Sequence, residues 1–449
     1  MKKRLIKNIL SLIVLIVILF TTYEIFKLNV LPNKYLILFI VGEAILYLLG
    51  LLFYNLKKKA LIVIGIILFI ISITGNAFGY YFLNKTNTYI DKSLGTNTYS
   101  IETKYYVIAN KDSTVNNIKE LKESDTIEYY KYSRSIEKAL KKLGNYNYVS
   151  SDAASKSMEN VTNNNSYFLI ASVNYDYLME STNLYSRDNY KIIGEFNVKE
   201  EIKKNNTIKN VYNIYINGLD FTGIMRDYNL IATVNLNTHK IVLTSIPRDY
   251  YIDVPAYNMK DTLMCLGSLD SEVSKEALEK LFDIKIDYTV NFNTTSLVNI
   301  VDAVNGVDFC SDYDFTTTHA LVTNGTEILA IARERNAFPG RDRYRQKNCR
   351  QILINIAQKL ASATTLTNYT EVLNSFDGLY TTDMNDKTVK SLIKSALENK
   401  NFEVVEQSVD GTDGIGIGHL GTQESWIMNP DMNTVNAATT EIKKVLSGK

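Results

Sequence analysis

Three apolar stretches near the N-terminus constrain the fold of this 449-residue chain more than any other feature. They cover residues 9–22, 35–53 and 60–83. The second and third are long enough for a helix to cross the hydrocarbon core of a bilayer, which takes about 20 residues. No small-residue cleavage site follows the first stretch, so it does not read as a cleaved signal peptide. We therefore predict a membrane region at residues 1–83 with three transmembrane helices.

Basic residues flank these stretches unevenly. Four of them precede the first stretch, and three consecutive lysines, Lys57, Lys58 and Lys59, separate the second from the third. The loop between the first and second stretches carries only Lys27 and Lys34 as basic residues. Because positive charge is enriched on the cytoplasmic side of membrane proteins, we place the N-terminus and the lysine loop inside. The chain is then a multi-pass protein of the cell membrane, and everything after residue 83 is extracellular.

Composition limits the kinds of site that the chain can carry. The formal net charge is +1, so a basic site must be local and cannot come from an overall positive field. The three cysteines and three histidines do not have the spacing of a disulfide framework or a zinc site. Glu43 lies in the middle of the second apolar stretch. An ionisable side chain there is either functional or satisfied by a neighbouring helix, and both interpretations stay open.

Residues 84–205 have the pattern of a small, separate domain. Predicted strands at 104–109 and 167–173 alternate with a predicted helix at 136–143, which favours an α/β accessory domain. This part contains no acid pair, metal-ligand spacing or glycine-rich phosphate loop. We interpret it as a spacer or a partner-binding module.

Residues 206–449 form the second predicted extracellular unit. Two apolar segments at 230–235 and 240–246 surround a polar turn and predict a β-hairpin. Arg248 and Asp249 follow the second strand directly. Charged residues at the end of a strand, held by a rigid scaffold, are good candidates for a functional site.

Basic residues are concentrated between residues 329 and 351. They are Arg333, Arg335, Arg341, Arg343, Arg345, Lys347 and Arg350. Arg333 and Arg335 follow the apolar run 328–332, which we predict to be a strand or loop that presents both side chains on one side. Apolar residues at helical spacing from Cys349 onward predict a helix behind them. Planar, forked guanidinium groups suit the oxygens of phosphate.

Two other interpretations of this basic segment stay open. It can be an ordinary solvated basic face, or it can bind nucleic acid. The predicted membrane topology argues against the second, and we predict no nucleic-acid partner.

Several short motifs resemble those of the LytR-CpsA-Psr family, whose members attach glycopolymers to Gram-positive cell walls. In chain order they are residues 217–220 (NGLD), 226–229 (RDYN), 244–249 (TSIPRD), 284–309, 332–335 (ARER) and 340–348. The resemblance extends over residues 212–445. The three predicted spans and the extra module ahead of it resemble the capsule-type branch of the family.

The resemblance implies an α/β fold with a central β-sheet flanked by helices on both sides, preceded by the accessory domain and the transmembrane helices. It implies a phosphotransferase that moves a capsule- or teichoic-acid-type glycan, with its proximal phosphate, from undecaprenyl diphosphate to a peptidoglycan hydroxyl. The implied partners are this polyprenyl-diphosphate-linked glycan, the peptidoglycan acceptor and membrane lipid. Proteins of capsule or wall polymer assembly are a further possible class.

The resemblance also assigns roles to residues. The arginines that match the diphosphate-binding set of the family are Arg248, Arg333, Arg335 and Arg345. The aspartates that match its ligands for Mg²⁺ (or Mn²⁺) are Asp220 and Asp227. Asp342 is expected to orient an arginine or to accept a proton. The other residues expected to contact substrate are Arg226, Asp249, Arg343, Lys347 and Cys349.

The chain departs from the family pattern at three places, and one of them is Met225, which stands where relatives often carry an arginine that the neighbouring Arg226 can replace. Cys349 stands where a glutamine often contacts the head group, and the segment 220–227 is shorter than in capsule-type relatives. Asp220 can alternatively cap a turn, Asp227 can be a surface carboxylate, and Arg248 can pair structurally with Asp249. Arg350, about 100° around the predicted helix from Cys349, is expected to matter less for activity than Arg335 and Arg345.

Two rival functions use the same sequence features. A polyprenyl-diphosphate hydrolase would use the same site with water as the acceptor. A non-catalytic, membrane-bound regulator of envelope polymer synthesis would tolerate loss of the aspartates.

Overall fold

A computed structural model describes most of the chain. The described residues are 2–94, 98–133, 135–181, 184–204, 207–220, 225–269, 271–309, 320–322, 324–336, 340–360, 372, 375, 380–398, 402–418, 421 and 424–448. Cys310, His319 and His419 lie outside them, as do residues 221–224 between the two candidate metal ligands.

The three apolar stretches form three helices, as predicted. They are α1 (Lys2–Leu28), α2 (Asn33–Tyr54) and α3 (Lys59–Leu94). Each contains a segment long and apolar enough to cross a membrane, with mean hydropathy of 2.5, 2.6 and 2.5. The third helix continues past residue 83, where the apolar stretch ends, to Leu94.

Close packing joins these helices. A side chain at Gly65 of α3 would come within 2.5 Å of the Tyr54 backbone nitrogen, so only glycine permits this approach. Glu43 of α2 is buried and accepts a hydrogen bond of 2.6 Å from the Ser72 hydroxyl of α3. This contact supports the interpretation that Glu43 is satisfied by a neighbouring helix.

The predicted accessory domain is built on a five-stranded sheet. Its elements are β1 (Thr98–Asn110), β2 (Thr126–Tyr130), α4 (Ile136–Leu143), β3 (Asn147–Ser151), α5 (Ala154–Asn164), β4 (Tyr167–Ala171), α6 (Ser172–Ser181) and β5 (Tyr190–Lys203). The strand order is β3-β2-β4-β1-β5. The expected α/β character is therefore present.

The second unit begins with strands and short helices. These are β6 (Val211–Leu219), β7 (Arg226–Asn235), β8 (Lys240–Ile246), β9 (Tyr251–Val254), β10 (Met259–Thr262), α7 (Leu266–Leu269), α8 (Ser271–Phe282), β11 (Tyr288–Phe292), α9 (Thr294–Ala303), β12 (Val307–Phe309) and β13 (Ala320–Val322). The remaining elements are α10 (Gly325–Arg333), α11 (Asp342–Leu360), β14 (Tyr380–Thr382), α12 (Asp386–Glu398), β15 (Glu403–Ser408), β16 (Gly411–Ile417), β17 (Glu424–Pro430) and α13 (Met432–Leu446).

A mixed six-stranded sheet organises this unit, in the order β14-β11-β6-β7-β8-β15. Strands β6, β7 and β8 are antiparallel neighbours, whereas β11 runs parallel to β6 and β15 runs parallel to β8. The predicted hairpin of residues 230–235 and 240–246 is confirmed within β7 and β8. The C-terminal ends of four strands therefore meet at one edge of the sheet, where β7 begins. These strands are β6, β8, β11 and β15.

Alternating side chains send the sheet's apolar residues to both faces. Ile231 of β7 packs in the same cluster as Leu278 of α8 and Val435 of α13. Leu230, its neighbour in the chain, packs instead with Leu353 of α11 and with helix α12. The prediction of a central sheet with helices on both sides is confirmed.

The predicted accessory domain packs against the second unit. The rings of Tyr132 and Tyr257 lie 5.0 Å apart between centroids. The Ser155 hydroxyl donates a hydrogen bond of 2.9 Å to the Gly421 carbonyl.

The membrane helices touch the second unit through α12 and β14. The Lys394 ammonium donates to Asn29 Oδ1 at 3.0 Å, beside the loop between α1 and α2. The Tyr89 and Tyr380 hydroxyls lie 3.4 Å apart. The α1–α2 loop and the C-terminal end of α3 therefore lie on the same side, next to the second unit.

One element was predicted wrongly. Residues 328–332 belong to helix α10 and not to a strand or loop. Ile328, Ile331 and Ala332 have helical spacing and pack in one apolar cluster. The Asn324 side chain caps this helix by accepting from the Glu327 N–H at 2.8 Å.

A buried carboxylate beside β14 predicts a pH-dependent stability. Asp383 accepts the Thr289 N–H at 2.6 Å, and burial raises the pKa of Asp383 to about 6. The folded chain then holds a proton that the unfolded chain loses near its ordinary pKa. Stability should fall as the pH rises from about 4 to about 6, by roughly 1–3 kcal/mol from this group. Asp383→Asn should remove that fall and raise the melting temperature at pH 8. Equal pH profiles of melting temperature in both proteins would contradict this.

Candidate functional site

Charged residues gather where the strands of the six-stranded sheet end. Asp220 follows β6, Asp227 is the second residue of β7, and Arg248 and Asp249 follow β8. Helix α11 adds Asp342 and Arg345 from its first turn. Residues that are far apart in the sequence are therefore brought to one edge.

A β-bulge sets the position of Asp227. Gly218 pairs with Tyr228 and Leu219 pairs with Arg226, so Asp227 has no partner in the ladder. Its backbone carbonyl accepts a hydrogen bond of 2.5 Å from Arg345 Nη2. Its carboxylate forms an ion pair with Arg248 Nη1 and lies 3.8 Å from Arg345 Nη1.

Asp342 fixes the orientation of Arg345. One carboxylate oxygen of Asp342 lies 2.7 Å from Arg345 Nη2, and the other accepts from Gln346 Nε2 at 2.7 Å. Oδ1 is thus in an ion pair with Arg345, and Oδ2 accepts a hydrogen bond within the first turn of α11. The orienting role is the one that this geometry favours for Asp342.

Arg335 completes the cluster from the loop after α10. It is half-buried, and burial followed by the charges of Arg248 and Arg345 lowers its pKa. The carboxylates of Asp227 and Asp342 act in the opposite direction. Arg335 is therefore close enough to all four groups to interact with them electrostatically.

Asp249 is the third carboxylate beside these arginines. Burial raises its pKa, while the nearby Arg248 acts to lower it. The nearest approach is 3.6 Å, between Arg248 Nε and Asp249 Oδ1, which is too long for a hydrogen bond. With all groups ionised, the charges of three arginines and three aspartates cancel, so an anion would meet a neutral cluster.

Two buried donors in the cluster have no acceptor within the described part of the chain. Among the described residues, the Nε–H groups of Arg248 and Arg345 have no hydrogen-bond partner. Buried donors in folded proteins nearly always have one. Oxygens of a bound phosphate group would satisfy such donors with strong, charge-assisted hydrogen bonds.

Arg333 lies at the rim of this cluster. It is the last residue of α10, two positions before Arg335, and its side chain is exposed. The arginines predicted to bind diphosphate therefore divide into three that share neighbours and one that is solvated.

Two residues predicted to contact substrate, Arg226 and Arg343, have other surroundings. Arg226 is buried and donates to Ser274 Oγ at 2.8 Å and Asn217 Oδ1 at 3.3 Å. Arg343 is exposed, and its Nε donates to Asp410 Oδ1 at 2.6 Å. Both make structural contacts in this state of the protein.

Cys349 and Lys347 lie further along α11. The Cys349 thiol donates to the Ala332 carbonyl at 3.4 Å, and burial raises its pKa to about 11. It is therefore a neutral thiol at physiological pH and not a nucleophile. Lys347 is exposed on the same helix.

The two candidate metal ligands lie on neighbouring strands of the same edge. The Asp220 N–H donates to the Met225 carbonyl at 2.9 Å, and Asp220 Oδ1 accepts from the Met225 N–H at 3.2 Å. Asp220 thus caps the end of β6, as the alternative interpretation proposed. No group of three metal-binding side chains occurs in the described part of the chain. Two carboxylates still fit Mg²⁺, which commonly takes one or two from the protein and the rest from phosphates and water.

Arg350 was expected to matter less for activity than Arg335 and Arg345, and the contacts that it makes are structural. It is buried, its Nε donates to Glu406 Oε2 at 2.7 Å, and its Nη1 donates to Ser245 Oγ at 2.7 Å and Ser408 Oγ at 2.9 Å. It therefore ties α11 to β8 and β15. The alternation of polar residues in α11 did not reveal this contact, because its partners lie more than 50 residues away.

Replacing Arg350 with alanine should destabilise the protein. The change removes the donor to the buried Ser245 hydroxyl, and a buried group left unsatisfied costs about 1–3 kcal/mol. Thermal unfolding of the full-length protein checks this, with Lys347→Ala on the exposed face of the same helix as the control. An unchanged melting temperature for Arg350→Ala would show that these contacts carry little energy.

Known proteins are similar in sequence to this part of the chain. The teichoic acid transferase TagU of Enterococcus faecalis, a polyisoprenyl-teichoic acid–peptidoglycan transferase by name, is 27% identical over 246 residues. That match covers 50% of this chain and 79% of the relative. TagU of Bacillus cereus (strain AH820) is 29% identical over 235 residues, which is 49% of this chain and 76% of the relative.

Solved structures also align with part of the chain. TagT from B. subtilis aligns with a TM-score of 0.44 at 20% identity, covering 55% of this chain and 95% of that one. A structure described as TagT bound to LI-WTA aligns with a TM-score of 0.44 at 19% identity, covering 53% and 92%.

A family model matches a longer stretch than either relative. It covers residues 175–444, from helix α6 to helix α13, which is more than half of the chain. The match includes every residue of the charged cluster at the sheet edge. The chain belongs to the LytR_cpsA_psr family.

Proposed function

We propose that this protein is a transferase that attaches a polyprenyl-diphosphate-linked glycopolymer to peptidoglycan. Its TagU relatives carry this activity in their name, with teichoic acid as the polymer. The observation that carries the proposal is the cluster of Arg248, Arg335 and Arg345 with two buried donors that lack an acceptor among the described residues. A diphosphate is the ligand that such a cluster suits.

The reaction breaks one bond of the diphosphate. An acceptor hydroxyl attacks the phosphorus next to the glycan, and the bridging oxygen leaves with the polyprenyl phosphate. The products are a phosphodiester between peptidoglycan and glycan and a polyprenyl monophosphate, while the hydroxyl proton passes to solvent or a base. Catalysis of such a transfer consists mainly of positioning and of charge stabilisation.

The arginines of the cluster have distinct tasks in this proposal. Arg345, held by Asp342 and by the Asp227 carbonyl, is oriented before substrate arrives. Arg248 pairs with one oxygen of the Asp227 carboxylate, and Arg345 lies near the other oxygen. Arg335 is half-buried and provides the charge that the carboxylates offset least.

A divalent cation, Mg²⁺ or Mn²⁺, is part of the proposal. Asp227 and Asp220 would hold it, and it would add positive charge to a cluster whose own charges cancel. When bound, Mg²⁺ offsets the charge of diphosphate oxygens and of the leaving phosphate.

The polymer and the other partners are not specified by these residues. Capsule polysaccharide remains a candidate beside teichoic acid, and the accessory domain remains a candidate for contact with assembly proteins. A hydrolase would use the same cluster with water as acceptor. Incubating the full-length protein in lipid vesicles with a lipid-linked glycan and peptidoglycan distinguishes them, since a transferase yields wall-bound glycan and a hydrolase yields soluble glycan.

The orientation in the membrane is a testable part of this proposal. We expect a cysteine at Thr114 to react with an impermeant thiol reagent in intact cells, and a cysteine at Lys58 to react only after permeabilisation. Both positions are exposed, and the native cysteines are replaced in the parent protein. The reverse pattern of labelling would refute an extracellular catalytic unit.

A further inference from the structure

The hairpin of β16 and β17 carries an exposed apolar face beside the charged cluster. Ile415 pairs directly with Trp426, and Ile417 pairs with Glu424. Paired residues, and residues two apart on one strand, lie on the same side of a ribbon. Ile415, Ile417 and Trp426 are 60%, 60% and 57% exposed, which is unusual for three neighbouring large apolar side chains.

The other side of the ribbon is packed and flat. Ile427 is buried over Gly414 and Gly416, where a side chain on Gly416 would come within 2.9 Å of Ile427. The base of the ribbon is anchored as well, because the Met428 N–H donates to the Asp249 carbonyl at 2.8 Å. The exposed side is therefore presented by a firmly held ribbon.

The ribbon is continuous with the cluster of arginines. Asp249 follows Arg248, and Trp426 lies two residues before Met428, about 7 Å further along the strand. On the other strand, Arg343 of α11 donates to the Gly411 carbonyl at 3.0 Å. The apolar face thus begins at Trp426, two residues from the backbone contact of the ribbon with Asp249, and so close to the proposed diphosphate site.

We propose that this face binds the glycan strand of the peptidoglycan acceptor, with a sugar ring stacked on Trp426. The inference rests on the proposed function and deepens it. A pyranose ring has an apolar face of C–H groups, which packs well on the face of an indole and on flanking aliphatic side chains.

The position of the membrane favours the acceptor over the donor. The membrane helices meet α12, whose Val389 and Leu392 lie on the α11 face of the sheet. Met428 of the ribbon packs on the opposite face, with α8 and α13. The attacking and leaving oxygens are roughly in line in phosphoryl transfer. With the polyprenyl phosphate leaving toward the membrane side, the attacking hydroxyl comes from the side of the ribbon.

Charge also favours a neutral sugar chain. Asp413 and Glu424 lie on the same side of the ribbon as Trp426, at the two ends of its apolar face. Carboxylates accept hydrogen bonds from sugar hydroxyl groups. Arg343 Nη2 lies 4.0 Å from Asp413 Oδ1 and offsets part of that charge. Glu424 repels a polyanionic polymer, which makes a phosphate-rich donor glycan a poor occupant of this face.

The chain provides its own probe, because Trp426 is its only tryptophan. The full-length protein in phospholipid vesicles is titrated with peptide-free glycan fragments of peptidoglycan while tryptophan emission is recorded. We expect a saturable shift of the emission to shorter wavelength, retained in Arg335→Ala. No shift in a protein that transfers polymer would overturn the proposal. A shift that follows vesicle lipid or protein concentration instead would indicate a membrane or a second copy and would also overturn it.

Kinetics give an independent test. Trp426→Ala should raise the KM for the acceptor about tenfold or more, since it removes most of a large buried contact, and should leave the KM for the donor unchanged. Ile192→Ala, at an exposed isoleucine of β5, is the matched control. An unchanged acceptor KM in Trp426→Ala would overturn the proposed acceptor site on the ribbon but not the proposed transferase activity. Emission shifts without any transfer by the native protein would instead refute the proposed function alone.

Discussion

Replacing Arg335 with alanine is expected to lower the rate of polymer transfer by about 10²–10³-fold, the usual cost of losing one preorganised charge at a transition state. Arg335 is half-buried beside Arg248 and Arg345, so it contributes to the charge that a diphosphate meets. Its loss leaves the ion pairs of Asp227 with Arg248 and of Asp342 with Arg345 in place. The variant should therefore fold normally. Transfer by the full-length protein in vesicles, with its melting temperature, gives both readouts.

A second arginine in the same segment provides the control. Arg341 is exposed and has a positive φ of 45°, a conformation that asparagine tolerates. Arg341→Asn should transfer polymer at close to the native rate. Equal rates in Arg335→Ala and the native protein would remove Arg335 from the site.

Arg345→Ala should also abolish transfer, but for two reasons that must be separated. The change removes a diphosphate ligand, breaks the ion pair with Asp342 and leaves the Asp227 carbonyl without its donor. A lower melting temperature is therefore expected together with the lost activity. Arg345→Lys keeps the charge without the fork and should recover stability more fully than transfer.

Removing divalent cations is expected to have an effect of similar size. Because the charges of the arginines and aspartates cancel, a diphosphate needs further positive charge to bind and react. Excess chelator should lower transfer by about 10²–10³-fold, and added Mg²⁺ or Mn²⁺ should restore it. Asp227→Asn should lose most activity even at high Mg²⁺, while Asp220→Asn should shift the Mg²⁺ dependence to higher concentration.

A mechanism without a metal predicts the opposite effect of chelator on the transfer rate. If Asp227 serves only to hold Arg248 and Arg345, chelator will leave the rate unchanged. Full activity of the native protein in excess chelator would thus defeat the metal proposal and favour a site made of arginines alone.

Local patterns in the sequence predicted the elements that carry most of the fold. The three apolar stretches were recognisable by their length, the hairpin of β7 and β8 by two apolar segments around a polar turn, and the helix from Cys349 onward by its helical spacing. Residues 328–332 form a short apolar run, which fits a buried strand and a buried helix equally well. Capping by Asn324 and packing in an apolar cluster stabilise the helix, so the run does not form a strand.

The site was predictable as a set of residues and less so as an arrangement. The motifs named Arg248, Arg335 and Arg345, but not the β-bulge that turns the Asp227 carbonyl toward Arg345. Arg350 resembles its arginine neighbours in sequence, and only the approach of β15 to α11 makes it structural. Such contacts join residues that are distant in the chain, so no local pattern reports them.

The most direct test of the proposed reaction follows the two phosphates of the donor. The full-length protein in vesicles receives a polyprenyl-diphosphate glycan labelled at the phosphate next to the glycan, together with peptidoglycan and Mg²⁺. We predict that the label appears in peptidoglycan in equal amount to the glycan, and that unlabelled polyprenyl monophosphate is released. Label on a soluble glycan phosphate would identify a hydrolase, and label that stays with the lipid would contradict cleavage at this site.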